Sequence, residues 1–149
     1  MDNTMRQLLI VRKDLPMFAG KQSAQISHAS MAFLAMLIQN GRRYDCGDQY
    51  EIHFKIDKDT YDKWLGGIFT KVVCGAKNKN QLMKAVTIAE ELGLEENKDF
   101  FIIKDACLTE LEPEEFDENG VGRTITCIGF RPLEEEIMHK ISKKYQLLK

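Results

Sequence analysis

Short apolar runs alternate with segments of helical periodicity along this chain of 149 residues. Apolar residues between charged or turn-forming ends predict strands at 6–13, 69–76, 99–104 and 123–130. Over 50–56 the side chains alternate between apolar and polar, which is typical of a half-buried strand. The pattern therefore predicts four main strands and one additional strand.

Helices are predicted between and after these strands. One has small or apolar residues every three or four positions from Ala24 to Ile38. A second begins with Asn78 as its N-cap and ends before Gly93. A last helix follows Pro132, with acids in its first turn and lysines towards its end, an order that suits the helix dipole.

Strands that alternate with helices predict an α/β fold, here a three-layer α/β/α domain with a largely parallel sheet. No linker or low-complexity segment divides the chain, so we expect a single domain over residues 1–149. The strand at 50–56 is a candidate extra edge strand of the sheet. The pattern leaves the order of the strands open.

Composition restricts the class of protein further. With 44% hydrophobic and 30% charged residues the chain is typical of globular proteins. The longest apolar run, 31–38, is too short to span a bilayer, and the first residues lack the order of a secretion signal. The four cysteines form no C-x-x-C pair, and no histidine has a partner at zinc-site spacing. We therefore expect a cytoplasmic protein with free thiols, no metal and no membrane partner.

The formal net charge of −2 is unevenly distributed along the chain. Between 110 and 118 there are six acids and no base, and without that segment the chain would be basic. Its acids are Glu110, Glu112, Glu114, Glu115, Asp117 and Glu118. An acidic segment beside a cleft would repel phosphates and restrict access to it.

The segment 17–33, MFAGKQSAQISHASMAF, contains the candidate chemistry. Lys21 stands at a helix N-terminus, where a positive charge is electrostatically unfavourable unless the site holds an anion or an oxyanion. At 100° per residue, Lys21, Gln25 and His28 fall within one narrow arc of the helix. The alternative is a solvated Lys21, a surface Gln25 and a His28 satisfied within the core.

Two further polar residues follow the strand at 99–104. In α/β sheets, sites form beyond the carboxyl ends of strands, so Asp105 and Thr109 are expected to face the start of the first helix. An aspartate after a strand also serves as a turn residue, so this arrangement alone decides nothing.

The segment VRKDLPMFAGKQSAQISHAS resembles the signature of the archaeal and eukaryotic type of peptidyl-tRNA hydrolase, R-x-D-L-x-M followed by G-K-x-x-A-Q-x-x-H-A. The similarity continues through TKVVCGAKNKNQLMKAVTIAEELGL, IIKDACLT and TITCIGFRPLEEEIMHKISKKYQLL. The resemblance implies a mixed, four-stranded α/β domain, commonly a homodimer. Its expected activity is cleavage of the ester that joins a peptide to tRNA, without a cofactor.

The resemblance also implies the roles of individual residues. The expected catalytic set is Lys21, Gln25, Asp105 and Thr109: Asp105 orients or deprotonates a water, Lys21 stabilises the oxyanion or holds a phosphate, and the other two position water or carbonyl. His28 is expected to be a buried orienting residue at the substrate. Arg12 and Lys13 are candidates for contact with the RNA backbone.

Four departures from the family pattern keep two other functions open. Cys107 replaces a glycine, the acidic segment is longer than the usual turn, the strand at 50–56 is additional, and IGFRP replaces an Ile-Gly-Pro ending. A non-catalytic domain of the same fold that binds an anion or a protein carboxylate is the first alternative. The second, a thiol enzyme that uses Cys107, requires a base for which the sequence offers no local candidate.

Overall fold

A mixed β-sheet with helices on both faces forms the core of the computed structural model, which describes residues 4–108 and 110–149. The strands are β1 (Met5–Arg12), β2 (Arg42–Cys46), β3 (Gln49–His53), β4 (Lys71–Ala76), β5 (Phe100–Asp105), β6 (Glu115–Phe116), β7 (Gly122–Phe130), β8 (Leu133–Glu134) and β9 (Gln146–Leu147). The helices are α1 (Ala19–Gln39), α2 (Lys58–Thr60), α3 (Lys79–Glu91) and α4 (Glu135–Ser142), and α2 continues into wider π-helical turns over Tyr61–Ile68.

The main sheet has the order β5-β7-β1-β4-β9, with β6 and β8 as short additions to β7 and β1. The pair β1–β4 is parallel, whereas β7 runs antiparallel to both β1 and β5. This confirms the α/β class and the mixed sheet. Of the four long strands, β1, β4 and β5 run in one direction, in line with the prediction of a largely parallel sheet. Because β7 lies between β5 and β1 and runs the other way, only one pair of neighbouring strands, β1 and β4, is parallel among the described strands. The carboxyl ends of β1, β4 and β5 therefore meet at one edge.

Each face of the sheet buries its own apolar cluster. Against α3 and α4 lie Leu8, Ile10, Phe100, Ile128 and Phe130, packed around Leu82 and Ile141. Against α1 lies a smaller cluster of Leu9, Val11, Ala29 and Cys127. A β-carbon added at Gly129 would stand 2.1 Å from the carbonyl oxygen of Ala29, so α1 rests directly on the backbone of β7. This close packing fixes the height of α1 above the sheet.

The buried side of α1 differs from the periodic stripe that predicted the helix. Gln25, Ala29 and Phe33 face the sheet. The outward stripe is formed by Ala24, His28, Met31, Ala35 and Ile38, of which Met31 is 56% and Ile38 39% exposed. Both stripes have helical spacing, and the contact with Gly129 selects the one with the small residue Ala29 at its centre. The expectation that His28 is buried is therefore wrong.

The predicted additional strand is present but does not belong to the main sheet. Strand β3 pairs with β2, which the sequence placed in a polar loop, in an antiparallel hairpin from Arg42↔His53 to Cys46↔Gln49. Nearly all of its side chains are exposed, and Arg43 stacks 4.5 Å above the ring of Tyr50. The alternation over 50–56 therefore reflects a free-standing hairpin and not an edge strand of the core sheet.

Two helix boundaries illustrate which local signals decided the structure. Asn78 caps α3 by accepting the backbone N–H of Gln81 at 2.8 Å, and Gly93 follows the helix with φ of 82°, as predicted. After Pro132, the chain first pairs with β1 as β8, so α4 begins three residues after the proline.

Among the described residues, no helix combines the length and apolarity that a membrane span requires.

Candidate active site

Polar side chains from α1 and β5 meet at the edge where β1 and β5 end. The first turn of α1 supplies Lys21 and the second supplies Gln25. Asp105 is the last residue of β5. Lys21 Nζ donates to Asp105 Oδ1 at 2.7 Å, and Gln25 Nε2 approaches the same oxygen at 3.3 Å. The structure therefore brings together three of the four residues expected to be catalytic.

This cluster is largely shielded from solvent. The side chains of Lys21 and Asp105 are 17% and 10% exposed, and Gln25 is 3% exposed. Shielding strengthens the attraction between the ammonium and the carboxylate relative to a surface pair. The geometry excludes the alternative in which Lys21 is merely solvated and Gln25 lies on the surface.

The Asp105 carboxylate is held in its ionised form. Burial alone would raise its pKa, but the hydrogen bond from Lys21 and the backbone N–H groups of Cys107 and Ala106 outweigh burial, so the pKa lies below its usual value. The N–H of Cys107 donates to Asp105 Oδ2 at 2.9 Å. One carboxylate oxygen thus faces α1 and the other is fixed by its own loop.

A second contact determines the orientation of Gln25. The hydroxyl of Thr126, on β7, donates to Gln25 Oε1 at 2.6 Å. Because an ionised carboxylate only accepts hydrogen bonds, the amide must turn its NH₂ group towards Asp105 and its oxygen towards Thr126. Thr126 is fully buried.

The residues expected to bind substrate are arranged differently. Arg12 is 4% exposed, and its five N–H donors bind Asp14, Glu114 and the carbonyl of Ile125. With all of its donors engaged, Arg12 has none to offer an RNA phosphate, which corrects that expectation. Its bond to Asp14, opposed in part by burial, is the main reason why the pKa of Arg12 is raised.

The structure bears differently on the three remaining expected site residues, Lys13, His28 and Thr109. Lys13 is exposed at the end of β1, beside the strand end of β4, and its predicted contact with RNA stays a prediction. His28 is exposed on the outward stripe of α1, so it does not reach the cluster as a buried orienting group. Thr109 lies outside the described residues.

The acidic segment is tied to the protein by its own charges. Glu114 binds Arg12 at 2.7 Å, Glu115 binds Lys104 at 2.8 Å, and Asp117 binds Arg123 at 3.1 Å. Glu110 accepts the backbone N–H of Phe18, at the start of α1, at 3.0 Å. Four of the six acids therefore have intramolecular partners, and the repulsion of phosphates is weaker than the sequence alone indicated.

Sequence reasoning missed the two threonines of β7 that support this edge. Thr124 accepts the N–H of Glu114 at 3.1 Å and contacts Cys107 Sγ at 3.3 Å, and Thr126 holds Gln25. The available signal was a pair of polar residues two positions apart in an otherwise apolar strand. No group of three or more metal-ligating side chains occurs within residues 4–108 and 110–149.

The family model described as peptidyl-tRNA hydrolase PTH2 matches residues 5–148. The chain belongs to this family. The resemblance carried by the segment around Lys21 is thus confirmed over almost the whole chain, and the family is one of hydrolases.

Two archaeal relatives show the same extent of similarity. A peptidyl-tRNA hydrolase of Methanopyrus kandleri is 32% identical over 145 residues, which cover 97% of this chain and 98% of the relative. A peptidyl-tRNA hydrolase of Thermoplasma acidophilum is 30% identical over 143 residues, covering 96% of this chain and 97% of the relative. This PTH2 member therefore spans almost the full length of both relatives.

A solved structure supports the fold alone. A protein of unknown function from Agrobacterium tumefaciens aligns over 100% of both chains, with a TM-score of 0.52 and 14% sequence identity.

Proposed function

We propose that this PTH2 member hydrolyses the ester bond between a peptide, or an N-blocked amino acid, and tRNA, with Lys21 and Asp105 at the reacting atoms. The observation that carries the proposal is the shielded Lys21–Asp105 pair with Gln25 beside it, at the sheet edge in a peptidyl-tRNA hydrolase family member. No cofactor takes part in this proposal.

Each residue has a role that its surroundings support. Asp105 is ionised and accepts hydrogen bonds from two sides, so it orients a water molecule towards the ester carbonyl and accepts its proton as the carbon–oxygen bond forms. Lys21 provides positive charge where the carbonyl oxygen becomes an oxyanion. Collapse of the tetrahedral intermediate breaks the bond to the ribose oxygen, which takes up the proton that Asp105 accepted from the water and leaves as the free hydroxyl of tRNA.

The lowered pKa of Asp105 determines how this base works. A carboxylate of low pKa is a weak base but stays ionised throughout the physiological range. Its contribution is therefore mainly to position the water, and the proton moves only as the nucleophile attacks. Gln25 adds a fixed amide donor at the same carboxylate.

The test is release of N-acetyl-amino acid from N-acetyl-aminoacyl-tRNA by the protein and by its Lys21→Met and Asp105→Asn variants. Asp99→Asn is a matched control: Asp99, just before β5, has a side chain that is also 10% exposed, and it forms a 2.6 Å ion pair with Arg131, which follows β7. We expect turnover by the parent and by Asp99→Asn and a loss of about 10³-fold or more in both site variants.

Other results would lead to a different function. Equal losses in all three variants would mean that the ion pairs serve stability alone. A folded parent that binds tRNA without turnover would instead support the non-catalytic anion-binding alternative. Such binding would have to involve more than the start of α1, where the N–H of Phe18 already binds Glu110.

The outward stripe of α1 supports a homodimer, which the family resemblance implies. Met31 is 56% exposed and, with Leu9, Ile26 and Val73, lines a shallow groove between α1 and β4. A second copy of the chain would remove this apolar surface from water. Light scattering should give a dimer mass for the parent and a monomer mass for Met31→Glu, whereas Thr87→Glu, on the exposed face of α3, should leave the mass unchanged.

The proposed substrate also determines where the protein acts. Peptidyl-tRNA arises during translation, so we infer that the protein acts in the cytoplasm. The four cysteines are all free, which is compatible with a reducing compartment.

A further inference from the structure

We propose that Thr126 is a positioning residue for the hydrolytic site, which it serves by fixing the side-chain amide of Gln25 against Asp105. This inference rests on the proposed function, since it assigns Thr126 to the same reaction. Thr126 touches neither Lys21 nor Asp105 in the described contacts, and it acts through Gln25.

The buried amide of Gln25 has one orientation that satisfies both of its ends. Gln25 is 3% exposed, so both ends of its amide need partners within the protein. Its NH₂ group has Asp105 Oδ1 at 3.3 Å, and its oxygen receives the Thr126 hydroxyl at 2.6 Å. If the amide rotated by 180°, its oxygen would face the carboxylate and its NH₂ group would face the hydroxyl, which would replace an attraction with a repulsion at Asp105.

The Thr126 hydroxyl lies closer to Gln25 than to its other possible acceptor. A threonine has one O–H to donate, and the carbonyl of Ile103 is a competing acceptor at 3.4 Å. The shorter contact, to Gln25, shows which acceptor the proton favours. Thr126 is fully buried, so water does not replace this donor.

The bond between Thr126 and Gln25 is held by rigid backbone at both ends. Thr126 lies on β7, which pairs with both β1 and β5 in the centre of the sheet. Gln25 lies on the side of α1 that packs against the sheet, four residues before Ala29, whose carbonyl closely approaches Gly129 of the same strand. Both ends of the Thr126–Gln25 bond are therefore held by backbone that has little freedom to adjust. A small error in the amide position is transmitted to the Asp105 carboxylate.

The experiment compares Thr126→Val, Thr126→Ser and Gln25→Ala, singly and as the double variant Gln25→Ala/Thr126→Val. Valine preserves the shape of threonine without the hydroxyl, and serine preserves the hydroxyl. We expect Thr126→Val to lower kcat by about 10- to 100-fold with little change in KM, and Thr126→Ser to restore most of it. The double variant should be no slower than Gln25→Ala, because the valine acts only through the amide.

Two controls separate this role from general destabilisation. Thr60→Val removes another buried hydroxyl, 3% exposed and in α2, and should leave kcat unchanged. The side-chain NH₂ resonances of Gln25, followed by NMR in the free protein, should shift in Thr126→Val and return in Thr126→Ser. Losses that add in the double variant, or a serine variant as slow as the valine variant, would overturn the proposal.

The NMR measurement also separates failure of this inference from failure of the proposed function. If the parent were inactive on every tRNA ester, yet Thr126→Val moved the Gln25 resonances, the amide support would stand and the hydrolase proposal would fall. If the parent turned over substrate and the resonances did not move, Thr126 would have no positioning role.

Discussion

Lys21 Nζ and Asp105 Oδ1 lie 2.7 Å apart although 84 positions separate the two residues in the chain. The contact exists because α1 starts, and β5 ends, at the same edge of the sheet. It places a cation and an ionised carboxylate side by side in a shielded site, an arrangement suited to acyl-ester hydrolysis. The ionised state of Asp105 also makes the stability of the protein depend on pH.

The stability contributed by Asp105 should be lost only in acid. Its folded pKa lies below that of the unfolded chain, so the unfolded state binds the proton first as pH falls. The contribution is therefore fully present above the unfolded pKa of about 3.9 and disappears as pH falls through the folded pKa. We expect the difference in unfolding free energy between the parent and Asp105→Asn, measured in urea, to be constant from pH 7 to about pH 5 and to shrink below about pH 4.

Other acidic residues contribute equally to the pH dependence of stability in the parent and in Asp105→Asn, so their contributions cancel in the difference. Asp14 also has a lowered pKa, for which its hydrogen bond with Arg12 is the main cause, but it is present in both proteins. A difference that stayed constant down to pH 2 would show that the Asp105 carboxylate gains nothing from its surroundings.

Much of this site was predictable because its signals are local. The strand that ends at Asp105 and the helix that begins near Lys21 can be recognised from neighbouring residues alone, and the rule that sites form at carboxyl ends then places the two together. Which stripe of α1 faces the sheet was not predictable in this way. It depends on Ala29 fitting against Gly129, a contact between residues that are distant in the chain.

The same distinction explains the misassigned charges. Arg12 follows an apolar strand and has the appearance of a surface cation in the sequence, yet Glu114 reaches it from the acidic segment 102 positions later. The hairpin of β2 and β3 was missed because β2, RRYDC, has no apolar alternation and is recognisable only through its partner strand. Pairings of this kind are properties of the fold and not of a window of residues.

Cys107 should tolerate glycine better than alanine. Its φ of 59° lies in the left-handed region, which glycine adopts without strain. Both Cys107→Ala and Cys107→Gly lose the contact of Sγ with Thr124, but only the alanine variant keeps the backbone strain, so it should be less stable than the glycine variant by about 1 kcal/mol. Chemical denaturation of both variants measures this difference.

The same two variants test the thiol-enzyme alternative. The proposed mechanism gives the sulfur no role, so both variants should hydrolyse the tRNA ester at nearly the parental rate. Loss of activity in both, with the fold intact, would assign a chemical role to the thiol.

Arg12 should stabilise the protein without contributing to RNA binding. Replacing it with methionine leaves Asp14 and Glu114 without their shared cation, and we expect the free energy of unfolding to fall by about 2 kcal/mol. This loss is smaller than for a fully buried ion pair because the two carboxylates are 36% and 34% exposed. The acidic segment should then be cut more readily by protease. Lys13→Met is the matched control, because Lys13 is the neighbouring cation and is exposed.

Binding of tRNA should respond in the opposite way to these two substitutions. Lys13→Met should weaken it and lower its dependence on salt, while leaving stability unchanged. If Arg12→Met instead produced the change in salt dependence, the guanidinium would have to leave its carboxylates when RNA binds.

Gly129 should be essential for the position of α1. A methyl group at this position would stand 2.1 Å from the carbonyl oxygen of Ala29, and helix backbone cannot yield as a flexible side chain would. We expect Gly129→Ala to lower the free energy of unfolding by about 3 kcal/mol. Because α1 carries Lys21 and Gln25, the variant should also lose catalytic activity under conditions where it remains folded.

Gly20→Ala is the matched control: Gly20 lies in the first turn of the same helix, nothing lies within 4 Å of the added carbon, and stability should be unchanged or slightly increased. Equal stability of the two variants in thermal unfolding would mean that α1 can rise from the sheet at no cost, and close packing at Gly129 would then not be what positions Lys21 and Gln25.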